Sequence, residues 1–154
     1  MKKLIFTGAI IISSIFSFSA IAQMSDEDAA AAIKRRQSVM QVVAFSNGPI
    51  GQMMRGGDYN AEAAMLALDR VEMVAAMIPQ VFGADTRGSS GGATRAIDAI
   101  WDSQDDYAQL AQDLADGAAA AREILASQGA EGIRAAGQQV GSKCGACHDG
   151  FRSD

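Results

Sequence analysis

Apolar residues recur along this chain at intervals of three and four, with no sustained alternation of apolar β-branched and polar residues. That period is helical, so the chain is expected to be all-α. The first segment opens at Ser25, where Ser25-Asp26-Glu27-Asp28 has the form of a capping box with acids at the positive helix end, and Ile33, Gln37, Met40 and Ala44 share a stripe. Asn47-Gly48-Pro49 should bend or interrupt it, with a last stretch running to Arg55. The second, after Gly56-Gly57-Asp58, sets Ala61, Met65, Leu68, Val71, Ala75 and Ile78 in register, and Pro79 closes it. From Gly83 to Arg95 the chain is rich in Gly, Ser and Thr, a connection longer than a bundle needs. The third helix, capped at Ser103 with Asp106 three later, aligns Tyr107, Leu110, Leu114, Ala118, Ala121 and Leu125. The fourth, from about Ala130, aligns Ile133, Gly137, Val140, Cys144, Cys147 and Phe151. Amphipathic helices joined mainly by short links predict an antiparallel four-helix bundle.

The N-terminus adds a segment outside that bundle. Lys2 and Lys3 precede an apolar stretch from Leu4 to Phe18, and Ala20-Ile21-Ala22 follows with the small-x-small pattern of a signal-peptidase site. Residues 1–22 therefore read as a removed secretory signal, since the run is shorter than the ~20 residues that span a bilayer. Residues 23–154 are long enough for one domain with a single core. The signal takes two lysines with it, so 11 basic residues remain against 18 acidic ones, a net charge of −7. Such acidity argues against nucleic acid or an anionic membrane as partner and suits a basic protein.

Chemistry concentrates at the other end. Cys144-Gly145-Ala146-Cys147-His148 holds both cysteines and the only histidine of the chain. On a helix, positions i, i+3 and i+4 share one face, so two thiols and an imidazole point the same way. This is the attachment signature of haem c, in which two thioethers hold the porphyrin edge and the imidazole reaches the iron. The motif continues the buried stripe of the fourth helix, which puts the cofactor inside the bundle as part of its core. Rival chemistries fit poorly. Zinc takes about four ligands, and two Cys plus one His fall short. A thioredoxin-like dithiol would follow a strand at a helix start, and no βαβ pattern exists here. With both thiols committed to haem, no structural disulfide is available. Gly137 and Gly141, ahead of the motif, either admit a close neighbour or reflect ordinary Gly/Ala packing.

The signal, the helical pattern, the haem motif at the extreme C-terminus and Arg36-Gln37-Ser38-Val39-Met40 in the first helix together resemble cytochrome c′, the class II c-type cytochromes. The likeness runs over residues 26–152 and includes the Gly91-Gly92 stretch leading to Ile100-Trp101 and the Asp149-Gly150-Phe151-Arg152 that follows the motif. Family members usually carry Tyr or Phe where Phe151 stands and Arg or Lys where Arg152 stands.

The resemblance implies a pentacoordinate haem, with Cys144 and Cys147 as covalent anchors, His148 as proximal iron ligand and Met40 covering the other iron face. It implies a periplasmic protein without enzymatic turnover that binds small gases such as nitric oxide or carbon monoxide, carries electrons for a redox partner, or does both. A homodimer formed through the first two helices is the family's habit. Arg36 and Gln37 would hydrogen-bond the haem propionates, Thr94 would reach the same edge, and Arg152 would lie beside the proximal imidazole. Plainer alternatives stand next to these: a solvated helix face for Arg36 and Gln37, a loop role for Thr94, and a cation at the negative helix end for Arg152. For Met40 the alternative is ligation, which would make a low-spin six-coordinate protein acting purely in electron transfer. Met65, Met73 and Met77 are expected to fill core, and Trp101 to pack at the bundle end.

Overall fold

The computed structural model describes residues 24–154, so the expected signal at 1–22 lies outside the described residues. Six α-helices follow in order: α1 Asp26–Met54, α2 Ala61–Ala75, α3 Ile78–Phe82, α4 Ala99–Asp102, α5 Gln104–Gln128 and α6 Ile133–Phe151, the last entered through a 3-10 turn at Gly129–Gly132. The four long helices make the expected bundle, α1 packing on α2 and α6, and α5 packing on the same two. Ile50, Leu68, Val71, Ile100 and Val140 are at most 1% exposed at its centre, each worth ~1.5–3 kcal/mol of transfer from water.

Start signals worked where a side chain could reach back to the first free N–H groups. The Ser25 hydroxyl accepts from the Asp28 amide at 3.1 Å, with Asp26, Glu27 and Asp28 in the first turn. Asn60 does the same for α2, accepting from the Ala63 amide at 2.8 Å. Ser103 bounds α5 as expected, but its hydroxyl makes no capping bond; its carbonyl accepts from the Tyr107 amide and two aspartates supply the favourable charge.

Proline behaved less simply. Pro49 does not interrupt α1, which runs through it to Met54 because Ser46, Ile50 and Met53 are buried on either side of it. Packing there outweighs one missing hydrogen bond. Pro79 does not close α2 either. The helix stops at Ala75, the residue whose carbonyl a proline ring four positions on would strike, and Pro79 instead sits in the first turn of α3.

The buried stripes also depart from expectation in α1. Its core face carries Ala29, Ala32, Ile33, Arg36 and Val39, while Gln37, Met40 and Ala44 face a cavity. Met65 is half-buried against the core, but Met73 is 70% exposed and Met77 44%, so these two are not core filling. They join Leu66, Val42 and Phe45 as large apolar side chains left on the outside of α1, α2 and the link that follows α2.

The long connection between α3 and α4 is pinned at both ends. The Ser90 amide and hydroxyl donate to the Asp26 carboxylate, which holds that carboxyl below its ordinary range, and Gly91 lies so close to α1 that a Cβ would sit 2.6 Å from the Ala30 nitrogen. Further along, the Ser153 amide donates to the Arg95 carbonyl at 2.9 Å, and the Arg95 Nε to the Ser153 carbonyl at 2.9 Å. This clamps the loop to the chain just past α6.

Candidate functional site

The last turns of α6 bring the motif together as helical spacing requires. Cys144 and Cys147 are free thiols, half-buried against the core, and burial pushes both up from the ordinary thiol range, Cys147 further by its neighbour Cys144. Neutral thiols late in a helix are the reverse of an activated dithiol, whose thiolate is stabilised at a helix start. Among the described residues no group of three His, Cys, Asp or Glu side chains is placed to hold a metal ion.

The His148 ring is pulled below its ordinary value by partial burial first, then by Arg152 and Arg95, with Asp149 opposing. The Arg152 Nη1 lies 3.1 Å from Nδ1 of that ring, one helical turn away. A guanidinium can only donate, so Nδ1 is the acceptor and the neutral ring carries its proton on Nε2. Were Nε2 to hold the iron, its proton would have to leave or move to Nδ1, and on Nδ1 it would disturb the Arg152 contact.

These residues line one cavity of about 670 Å³. Met40, Val43 and Ala44 of α1 form one wall, Leu110, Ala111 and Leu114 of α5 another, and the two cysteines with His148 a third. Such a volume is cofactor-sized. Among the described residues Met40 is the sole methionine on its walls, and Met65, Met73 and Met77 do not line it.

At one end of the cavity lies Arg36. It is only 2% exposed, its guanidinium is held between the rings of Phe82 and Trp101 at 5.4 and 5.1 Å, and its Nη2 donates to the Thr86 hydroxyl at 2.8 Å. The solvated-face alternative is therefore overturned for Arg36, though Lys34 and Arg35 do face water. Its Nε and Nη1 are buried and have no partner among the described residues. Burial lowers its pKa, partly offset by Tyr107 and Asp85. Unmet donors on a buried cation cost about 1–3 kcal/mol each or more, and a carboxylate delivered by a ligand would give this guanidinium the acceptor it lacks. The cavity thus fits haem c on three counts: volume, two thiols with an imidazole on one wall, and a buried cation lacking its anion.

Gln37 and Thr94 are exposed on the same rim. The Gln37 amide donates to the Ala93 carbonyl at 3.1 Å, and the Thr94 hydroxyl accepts from the Ala96 amide at 3.1 Å, leaving its own proton free. Trp101 packs at the bundle end, donating to the Phe82 and Ala84 carbonyls at 3.1 Å. Gly137 admits a neighbour and not the cavity: a Cβ there would overlap the Met54 thioether, whereas Gly141 faces open space. Sequence reasoning missed Thr86, which anchors Arg36 from a Gly/Ser-rich loop that carries no periodic signal, and it missed Arg55, Arg95 and Lys143 on the rim.

With this geometry in hand, comparison with known proteins gives a consistent result. The family model described as Cytochrome C' matches residues 31–152. Cytochrome c-556 of Agrobacterium tumefaciens is 33% identical over 123 residues, covering 78% of this chain and 95% of its own. Cytochrome c' of Cereibacter sphaeroides is 31% identical over 127 residues, covering 81% and 85%. The crystal structure of cytochrome c' from Thermochromatium tepidum superposes with a TM-score of 0.69 at 29% identity, covering 86% of this chain and all of that one. Bundle, motif and relatives agree, and the chain belongs to the cytochrome c′ family of c-type haem proteins, with covalently attached haem c as its cofactor.

Proposed function

We propose that this chain is an exported haem protein without enzymatic turnover, in which Cys144 and Cys147 anchor haem c, His148 holds the iron from the proximal side, and the opposite iron face stays open under Met40 for nitric oxide or carbon monoxide, the same centre also carrying electrons. What supports the reading is convergence: both thiols, the lone imidazole, the single cavity methionine and a buried guanidinium lacking an acceptor all line one cavity. When bound, haem c supplies a redox-active iron with an axial position for a diatomic ligand. The protein's own groups do the rest. Arg36 would hold one propionate inside the bundle, Gln37 and Thr94 would serve that edge, and Arg152 stands beside the His148 ring and adds positive charge behind it.

Optical spectra test the open site. Reduced holoprotein is expected to show high-spin haem whose bands shift on addition of carbon monoxide. Sharp low-spin bands that ignore carbon monoxide would instead mean that Met40 is bound and that the protein acts purely in electron transfer. Met40→Ala separates the roles again: a lid lost should quicken gas binding at unchanged spin state, whereas a ligand lost should convert low spin to high spin.

A homodimer through α1 and α2 is part of the same proposal. Val42, Phe45, Leu66 and Met73 leave apolar surface on those two helices, with Met77 just beyond α2, and Phe45 alone is 73% exposed. Sedimentation should report a dimer, and Phe45→Glu should shift it to monomer by placing a charge in a desolvated interface. Export rests on Lys2, Lys3, the apolar stretch and Ala20-Ile21-Ala22. Mature protein recovered from the periplasm is expected to begin at Gln23. No helix among the described residues is long and apolar enough to cross a membrane.

A further inference from the structure

Among the described residues five basic side chains line the cavity, Arg36, Arg55, Arg95, Lys143 and Arg152, and no aspartate or glutamate does. In a chain with 18 acidic residues against 13 basic ones, that segregation runs counter to the net charge. Arg36 is buried and belongs to the interior. The other four stand at the rim, Arg55, Arg95 and Arg152 exposed and Lys143 half-buried. None of the four forms a salt bridge among the described residues, whereas Arg87 pairs with Asp85 and Asp102, and Arg122 with Asp69 and Glu72. Carboxylates are abundant in this molecule yet missing where the cavity opens. Asp149, exposed beside His148, and Asp85, which acts on Arg36, are acids that reach the site electrostatically from outside its lining.

The four rim cations fall into two groups. Arg95 and Arg152 flank the end of α6, while Lys143 lies nine residues back along that helix, ~13 Å at 1.5 Å per residue. Arg55 belongs with Lys143, because α1 ends where Met54 meets Gly137 of α6 and the Arg55 guanidinium folds back over Gly51. No small anion spans such a distance. A protein surface carrying several carboxylates does.

We propose that the cavity mouth is the docking face for a redox protein whose own electron-transfer centre is ringed by acidic residues. The inference rests on the haem reading above, since a mouth with no iron behind it offers a partner nothing to exchange. In each encounter one electron passes between the two centres, oxidising one as it reduces the other. The net charge of the chain favours a basic partner, but a basic surface would be repelled from the one face where transfer occurs, and an acidic surface is steered toward it.

Small redox reagents of opposite charge read the local field. Holoprotein, recognised first by its visible haem absorption, is reduced and then oxidised by hexacyanoferrate(III), one electron passing to give hexacyanoferrate(II). Raising ionic strength from about 0.01 M to about 0.1 M shortens the screening length from ~30 Å to ~10 Å, and the rate is expected to fall several-fold. Oxidation by the cationic tris(phenanthroline)cobalt(III) is expected to speed up over the same range. At low salt, poly-L-glutamate should cover the mouth and slow the hexacyanoferrate reaction, and Arg55→Glu with Lys143→Glu should weaken both effects. A hexacyanoferrate rate that climbs with salt would show the net negative charge in control and would overturn the proposal. A rate that falls with salt yet ignores poly-L-glutamate would mean that the rim serves small anions only, which overturns it equally. These arms need only the unmutated holoprotein, so a variant that fails to fold leaves the answer intact. Material without haem absorption sinks the haem reading instead, before any kinetic run.

Discussion

Alanine at both Cys144 and Cys147 is expected to give a colourless polypeptide whose mass is that of the bare chain and whose bundle has lost its fixed interior. The expectation follows from where the thiols stand. They belong to the wall of a cavity of about 670 Å³ that separates α1 from α5 and α6, and the apolar side chains of all three helices face it. Without a covalent occupant the helices must collapse inward or admit water. A residual void of even a third of that volume would cost about 5 kcal/mol at ~24 cal/mol per Å³, and a domain of this size has only ~5–15 kcal/mol in total. The expected product keeps its far-ultraviolet helical signal, because the helical hydrogen bonds and the caps of α1 and α2 are local and survive the loss of packing, but loses near-ultraviolet tertiary signal and binds hydrophobic dyes. A single Cys147→Ala change should be milder, retaining haem through one thioether. A double variant that unfolds as cooperatively as the natural protein, with its tertiary signal intact, would mean that the cavity is not held open for a cofactor.

That prediction draws on features written at two different scales. The bundle itself was legible because helix period, caps and glycines are local: Ser25 caps as its sequence suggests, and Gly129, at a φ of +57°, ends α5 where helical periodicity breaks. The haem motif was legible because three reactive side chains stand within five residues of one another. Prolines misled, since their cost is local but the packing that outweighs it is not; nothing near Pro49 in the sequence announces that Ile50 and Met53 are buried against other helices. The face of α1 also misled. An apolar residue beside a cofactor and one beside another helix follow the same period, so periodicity alone does not separate Met40 and Ala44 from Val39; the resemblance singled out Met40, and the cavity separates Ala44 as well. Arg36 was the hardest. Inside Lys34-Arg35-Arg36 it is chemically indistinguishable from its neighbours, and only Phe82, Thr86 and Trp101, brought together by a loop some fifty residues on, make it a buried group.

Replacing that arginine is expected to have the second largest effect, and of a kind no solvated cation could produce. If Arg36 holds a propionate, Arg36→Met in the holoprotein leaves a carboxylate inside the bundle with no partner, a defect of ~3–5 kcal/mol by analogy with breaking other buried ion pairs from one side. Lysine should not rescue it. An ammonium cannot stack between Phe82 and Trp101, and as a point charge it cannot replace the Nε and Nη1 donors while keeping the Thr86 bond. Stability alone would not distinguish propionate binding from plain packing, so the reduction potential carries the decision. Beside Arg36 the carboxyl would be kept ionised; without it, burial would push its titration upward, toward neutral pH. Deprotonation adds negative charge near the iron and favours the oxidised state, so the potential of the Arg36→Met protein should fall as pH rises through that range, while the natural protein stays flat there. A variant that is merely less stable, with a potential as insensitive to pH as before, would leave Arg36 a structural cation and place the propionate elsewhere.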